Sequence, residues 1–316
     1  MQRMSNCLNI SYIFKTSLGS VNGSFTEGNV ATIKKITCLD GKTIPYISGQ
    51  SQKYAIRTKL REQGFSLSPV FSSENNKGVD STAGDPRFID DDLFGYMIAS
   101  RKENRRRTAP VRVSAAIALA PFKGDRDLGT KSKEGIDGQT MEAGGNLFET
   151  EIYYNFFKSD ILVELDRVGR FKGYELEKKE KNAKPDPIEL SLQERKKRVV
   201  ALLESFKTLW GGGKQSRFMT DLSPKFIIYT RQSRKIPVLL ESLCLDKNEV
   251  IDIDTILEVF QDSSFIDHTV VGLRSGIFSN EEEIKTRLSE AGYQVMPING
   301  AINAMIADIT SDSVIF

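Results

Sequence analysis

The first strand signal is Leu8 to Phe14, rich in Ile, Tyr and Phe. Turn residues from Ser17 to Ser24 follow, then a second β-prone stretch from Val30 to Leu39, closed by the turn pair Asp40-Gly41. From about Ser48 to Gln63 the pattern is helical, with Ser48 as N-cap and Gly64 as the stop. Residues 65–109 break the periodicity. They are rich in Ser, Asn, Gly and Pro, carry one short apolar signal at Leu93 to Ile98, and end in a basic run from Arg101 to Arg107. This reads as an insertion with little core of its own. An apolar strand returns at Val111 to Ala120, followed by a Gly- and Lys-rich stretch from Pro121 to Leu147 and β-prone sequence at Phe148 to Phe157 and Asp160 to Val168. That pattern predicts strands joined by a long projecting ribbon.

Residues 172–189 are charged, hold Pro185 and Pro187, and read as a linker. Leu192, Val199, Leu202, Leu203, Phe206 and Leu209 then recur at helical spacing up to Trp210. Gly211-Gly212-Gly213 stops this helix, and Lys225 to Thr230 predicts a strand. Beyond Glu249 the signals mix, with a helix near Asn280 to Ala291. Strand, helix, strand, hairpin, strand, helix, strand is the β-α-β-β-α-β order of the ferredoxin-like unit that RRM domains also use. The expected class is α+β.

Composition narrows the function classes. Of 316 residues 39% are hydrophobic, enough for one large core or two small ones. The formal charge of +2 excludes a uniformly polybasic binder and moves the question to where the cations gather. Three widely spaced cysteines, Cys7, Cys38 and Cys244, form no C-x-x-C pair and point to a reducing compartment. With no apolar run of membrane-spanning length and no h-region near the N-terminus, a cytoplasmic protein is expected. The one histidine, His268, leaves little for zinc or acid–base chemistry and reads as a polar residue near a strand end.

Cationic candidates fall in three places. Lys53, Arg57 and Arg61 line one helix face at i, i+4 and i+8, with Glu62 the only acid in that helix. Like charges at this spacing repel unless an anion lies along them. Ser48, Gln50 and Ser51 add neutral donors at its N-terminus, where free N–H groups suit an oxyanion. The second place is Gly211-Gly212-Gly213-Lys214-Gln215-Ser216-Arg217. It is not a P-loop, because Thr208 stands where glycine is needed and Gln215 where Ser or Thr is needed, and a helix precedes it. Glycines let the backbone approach a phosphodiester, and Lys214 and Arg217 supply charge. The third is the Arg101–Arg107 run, either a solvated loop or a contact to a duplex, through Arg105, Arg106 and Arg107. The loop at 121–147 adds Lys123, Arg126, Lys131 and Lys133, an arm suited to a neighbour or a nucleic acid. Asp90-Asp91-Asp92 could hold Mg²⁺ or could simply begin the helix at Leu93.

These residues carry a resemblance. Glu27-Gly28-Asn29-Val30, Pro45 to Gln50 with Tyr54-Ala55-Ile56-Arg57, Asp92 to Tyr96, Leu165 to Gly169 and Gly211 to Lys214 together resemble the DevR family over about residues 8–235. That family supplies the repeated backbone subunit of type I-B CRISPR Cascade complexes, within the RAMP superfamily. The resemblance implies an RRM-like palm (1–64, 110–120 and, with the C-terminal segment, 159–316), fingers (65–109) and a β-ribbon thumb (121–158). It implies copies stacked head to tail along a guide RNA (crRNA), each palm holding the RNA backbone and each thumb displacing one base at intervals. The matching RNA-binding positions are Ser48, Gln50, Lys53, Arg57, Lys214 and Arg217, with Asn22 a weaker match. It also implies target DNA reached through the guide, and as partners a large subunit, a small subunit, a 5′-handle-binding subunit and a guide-processing endoribonuclease. No cofactor, no metal and no membrane partner are implied. Type III relatives cut RNA with an acid in the loop after the first strand; here Glu27 is the only acid between Ser11 and Leu39, and a scaffold without catalysis is expected. The alternatives are a metal-dependent endoribonuclease acting through Asp90–Asp92 or Glu27, and a free-standing regulator that binds RNA or DNA.

Overall fold

A computed structural model describes residues 6–71, 81–99, 104–131, 146–178 and 185–316. In chain order its first elements are β1 (Cys7–Lys15), β2 (Gly23–Glu27), β3 (Val30–Ile33), β4 (Lys35–Thr37), β5 (Thr43–Ile47) and helix α1 (Gly49–Glu62). Next come α2 (Ile89–Phe94), β6 (Tyr96–Ala99), β7 (Asn104–Arg107), β8 (Val111–Val113) and β9 (Ala116–Ala118). Then follow β10 (Arg126–Lys131), β11 (Asn146–Glu151), β12 (Phe156–Glu164), α3 (Leu192–Ser205) and β13 (Pro224–Gln232). The last are α4 (Ile253–Asp262), β14 (Ile266–Leu273), α5 (Glu281–Glu290), β15 (Val295–Pro297) and α6 (Ile298–Thr310). The protein is a mixed α+β fold.

Among the described residues nine strands form one sheet, ordered β15-β14-β13-β1-β12-β9-β5-β4, with β8 also on β12. β1 lies at its middle, antiparallel to β12 and to β13. The four strands expected from the sequence are therefore neighbours, the last beside the first and the first beside the third. β1 alternates apolar Leu8, Ile10, Tyr12 and Phe14 with Asn9 and Ser11 yet is buried on both faces: the four apolar side chains pack with α1, α3 and α6 in one core. Ile13 faces the other way, into a second core with Phe226, Ile228, Ile256, Phe260 and Leu288. On that same face Asn9 and Ser11 are buried through hydrogen bonds to Asp160.

Several expectations are revised. The β-prone residues 148–168 form β11 and β12, broken around Tyr153, so Asp160 lies mid-strand and Leu165 to Val168 lie beyond it. The expected strand at Val111–Ala120 is two short ones, β8 and β9, parted at Ser114. The ribbon β10–β11 does not project alone. β11 pairs in parallel with β3, and β2 completes a four-stranded sheet. Lys133 and most of the ribbon's tip lie outside the described residues. Within 65–109, α2 buries Ile89, Leu93 and Phe94 in the main core rather than standing apart from it. In 172–189, Arg170–Phe171 pairs with Ile188–Glu189. The tail after Glu249 extends the central sheet by β14 and β15 and packs α6 against α3 and β14.

Candidate nucleic-acid interface

Three separate segments meet at one place. Ser48 caps α1, its hydroxyl accepting from the Ser51 N–H at 3.3 Å. The Ser48 N–H in turn donates to Asn22 Oδ1 at 2.8 Å, which ties the loop after β1 to the helix start. That loop also receives the Gly-rich segment, whose Gly213 N–H donates to Val21 O at 2.9 Å, while the Gly211 N–H closes the segment on itself at Thr220 O, 3.0 Å away. At Gly212 φ is +107°, and a Cβ there would lie 3.0 Å from the Val21 Cα. Both the conformation and the approach require glycine. At Gly49 a Cβ would lie 2.3 Å from Val113 O, so a side chain would push the start of α1 off the sheet. Asn22, Ser48 and the Gly211–Arg217 loop thus form one rim, and the glycines draw it close.

Of the four cations at the rim, two lysines form no ion pair among the described residues and two arginines are paired. Lys214 sits at φ 57° and donates to Thr150 Oγ1 at 2.6 Å, a neutral partner on β11. Burial holds its pKa below the ordinary lysine value. Arg217 reaches the same hydroxyl at 3.4 Å and pairs with Asp127 of β10. One turn into α1, Lys53 lies over the Phe94 ring at 5.9 Å and forms no ion pair among the described residues. Burial, and then the neighbouring Arg57, lower its pKa. Arg57 also lies over Phe94, at 4.9 Å, and pairs with Asp90 at 3.3 Å. Gln50 is exposed at the helix start and Arg61 at its end. An anion along this face would relieve the repulsion between Lys53 and Arg57.

Thr150 and Asp127 had no signal in the sequence. Their link to Lys214 and Arg217 spans more than sixty residues and depends on the ribbon folding back through β3. Lys59 with Trp210, at 5.5 Å, is a further contact between α1 and the Gly-rich segment that the sequence did not suggest.

The Arg105–Arg107 reading needs correction. Arg107 is buried, its guanidinium 2.6 Å from Asp92, 2.9 Å from Glu175 and stacked 3.9 Å over Phe171. Arg105 is 8% exposed and donates to the Gly84 and Ala83 carbonyls at 3.2 and 2.9 Å. On β7 these two point inward while Arg106 points out, so only Arg106 is placed to meet a duplex. Arg101 and Lys102 lie outside the described residues. The aspartate run is structural in the same way. Asp92 pairs with Arg107 and, at 2.8 Å, with Arg198, and accepts from the Gly169 N–H at 2.9 Å. Asp90 accepts from Arg57 and from the Ser68 N–H, and Asp91 from the Asp85 N–H. Glu27 is exposed at the end of β2. Among the described residues no group of three His, Cys, Asp or Glu side chains is arranged to hold a metal ion. His268 lies on β14 opposite Arg231, half-buried. No described helix is long and apolar enough to cross a membrane.

Known proteins are similar to this chain in sequence and in fold. The family model described as CRISPR-associated negative auto-regulator DevR/Csa2 matches residues 10–249. The chain is 29% identical over 161 residues to the CRISPR-associated protein Cas7/Cst2/DevR of Myxococcus xanthus (strain DK1622). That alignment covers 44% of this chain and 51% of the relative, so the chain spans about half the length of the protein it matches. Its fold is similar to a chain of a CRISPR RNA-guided surveillance complex, pre-nicking, at TM-score 0.59 and 13% identity, covering 96% of this chain and 100% of that one. A chain of a second CRISPR RNA-guided surveillance complex aligns at TM-score 0.55 and 17% identity over 96% and 99% of the two chains. The family match contains Asn22, Ser48, Lys53, Arg57, Lys214 and Arg217, and by its extent the chain belongs to the CRISPR-associated DevR/Csa2 family.

Proposed function

We propose that this chain is the guide-RNA-binding backbone subunit of a type I-B Cascade and that it has no catalytic role. The observation that carries this reading is the rim formed by Asn22, Ser48 and Gly211–Arg217 beside Lys53 and Arg57, in which Lys53 and Lys214 are held below their ordinary pKa by burial and form no ion pair among the described residues. A guide varies in sequence, so its carrier has to grip phosphate and sugar and leave the base edges free. Backbone N–H groups, lysines and closely drawn glycines do that. The solved proteins of like fold belong to RNA-guided surveillance complexes, which favours the same setting here.

In this account the central sheet with α1 and α3 is an RRM-like palm, residues 65–109 are the fingers, and the β10–β11 ribbon, braced by β2 and β3, is the thumb. Copies follow one another head to tail along the crRNA, since a heterologous contact that does not close generates a filament. Target DNA is met by pairing with the guide, and the large, small, 5′-handle-binding and guide-processing subunits complete the complex in the cytoplasm. Asp90 and Asp92 are committed to Arg57, Arg107 and Arg198, which weighs against the endoribonuclease alternative.

Gel shifts with two unrelated RNAs of equal length test the site. Both are expected to bind alike and to remain intact with Mg²⁺. Lys53→Glu/Arg57→Glu and Lys214→Glu/Arg217→Glu are each expected to weaken both RNAs equally. A strong preference for one sequence, or RNA cleavage, would overturn the proposal.

A further inference from the structure

Beyond residue 249, outside the family match, the central sheet ends on an incomplete edge. β14 pairs with β13 along almost its whole length, from Leu273 opposite Phe226 to Ile266 opposite Gln232. On its other side β15 covers only Val271 to Leu273. Among the described residues no strand lies beside residues 266–270 on that side. A strand directs its main-chain groups to both neighbours; the Ile266 N–H donates to Ser263 O at 3.0 Å, and beyond it the stretch has no described strand on its outer side, the template that an added strand uses.

The edge opens into a cavity of about 500 Å³. Phe260 of α4 lines it from one face of the sheet and Ala304 of α6 from the other. Tyr293 and Met296 close it where the chain turns into β15, and the Phe260 and Tyr293 rings lie 4.6 Å apart. Alternate side chains of a strand laid along β14 would point to opposite faces, and the lining mixes these apolar groups with Ser263, Asp267, His268, Thr269 and Gln294.

Charge selects the kind of strand. Residues 250–316 hold eleven Asp and Glu against three Lys and Arg, a net −8 in a chain of +2 overall, which leaves +10 on the rest. Asp262 and Asp267 flank the open edge, are exposed and form no ion pair among the described residues. Glu258 and Glu290, on α4 and α5, are likewise exposed. This field repels a nucleic acid and attracts a cationic chain.

We propose that the open edge of β14 docks an extended segment of a partner protein in which Lys or Arg alternates with apolar side chains. The proposal does not depend on RNA binding at the opposite end of the sheet. Main-chain hydrogen bonds to residues 266–270 supply the register, and Asp262 and Asp267 supply the charge selection.

Fluorescence anisotropy of the full chain with a labelled Lys-Val-Lys-Val-Lys-Val-Lys peptide tests it. Binding is expected for this peptide, and not for its Glu-Val counterpart or for a version N-methylated at alternate peptide bonds. Asp262→Lys/Asp267→Lys is expected to weaken it by about tenfold or more. Both aspartates are exposed, so an unchanged melting temperature confirms that the variant folds. Hydrogen exchange is expected to slow at residues 266–270 when the peptide is bound. Equal binding of the N-methylated peptide would reduce the site to a charged surface and overturn the proposal. So would absence of binding, protection elsewhere in the chain, or competition by RNA. Self-association of the chain alone that the same double substitution abolishes would assign the edge to a second copy instead of a partner.

Discussion

Asp92 ties α2 to Arg107, Arg198 and Gly169. It accepts from two arginines and one backbone N–H while fully buried, so its removal leaves Arg107 and Arg198 charged inside the protein. Breaking a buried pair from one side costs about 3–5 kcal/mol. Asp92→Ala is expected to lower the melting temperature sharply, measured by circular dichroism. Asp160 is a different case. It is buried at mid-sheet with only neutral donors, Asn9 at 2.6 Å and the Ser11 hydroxyl, and burial raises its pKa to about 6. The folded chain therefore keeps this proton longer than the unfolded chain, and its contribution to stability falls as pH rises from about 4 to about 6. Asp160→Asn can keep both contacts, with the Ser11 hydroxyl turned to accept. Its melting temperature relative to the parent is expected to rise from pH 4 to pH 7; a difference flat with pH would contradict this. None of these roles was legible in the sequence. Asp90–Asp92 and Arg105–Arg107 look alike as charge runs whether they face solvent or each other.

At the scale of elements, period and punctuation carried most of what could be read. α1 spans Gly49–Glu62 against an expected Ser48–Gln63, and α3 spans Leu192–Ser205, extended by a 3₁₀ turn at Phe206–Thr208. Each has an apolar stripe and a side-chain cap, and such helices announce themselves. α6 did not. Ile298, Ala301, Ile302, Met305 and Ile309 form its buried stripe, but the sequence around them is apolar on several sides and no side chain caps the start. Pairing between strands is the least readable level. Nothing local in β11 tells that it will lie parallel to β3. The Gly-rich loop stands out in the sequence as a candidate contact segment because three glycines and two cations coincide, and its conformation gives a prediction. Gly212→Val meets both a φ of +107° and the Val21 backbone, so it is expected to weaken RNA binding more than Gly276→Val, a position of φ +75° with open space around it. Paired gel shifts and melting curves separate that effect from general instability.

Across the whole molecule charge is divided rather than neutral. The N-terminal 249 residues carry +10 and the remainder −8, an arrangement that the total of +2 conceals. RNA binding at the basic part is expected to be salt-dependent. If each copy neutralises about four phosphates on a single strand, affinity per copy falls roughly fifty-fold between about 50 and 200 mM salt. Repeating the titration with Lys214→Glu/Arg217→Glu is expected to flatten that slope. Size-exclusion chromatography with light scattering, on RNAs of increasing length and unrelated sequence, tests the central claim most directly. The account predicts a mass that climbs in equal steps with RNA length, whatever the sequence, on RNA that stays intact. One or two copies bound at every length would contradict it.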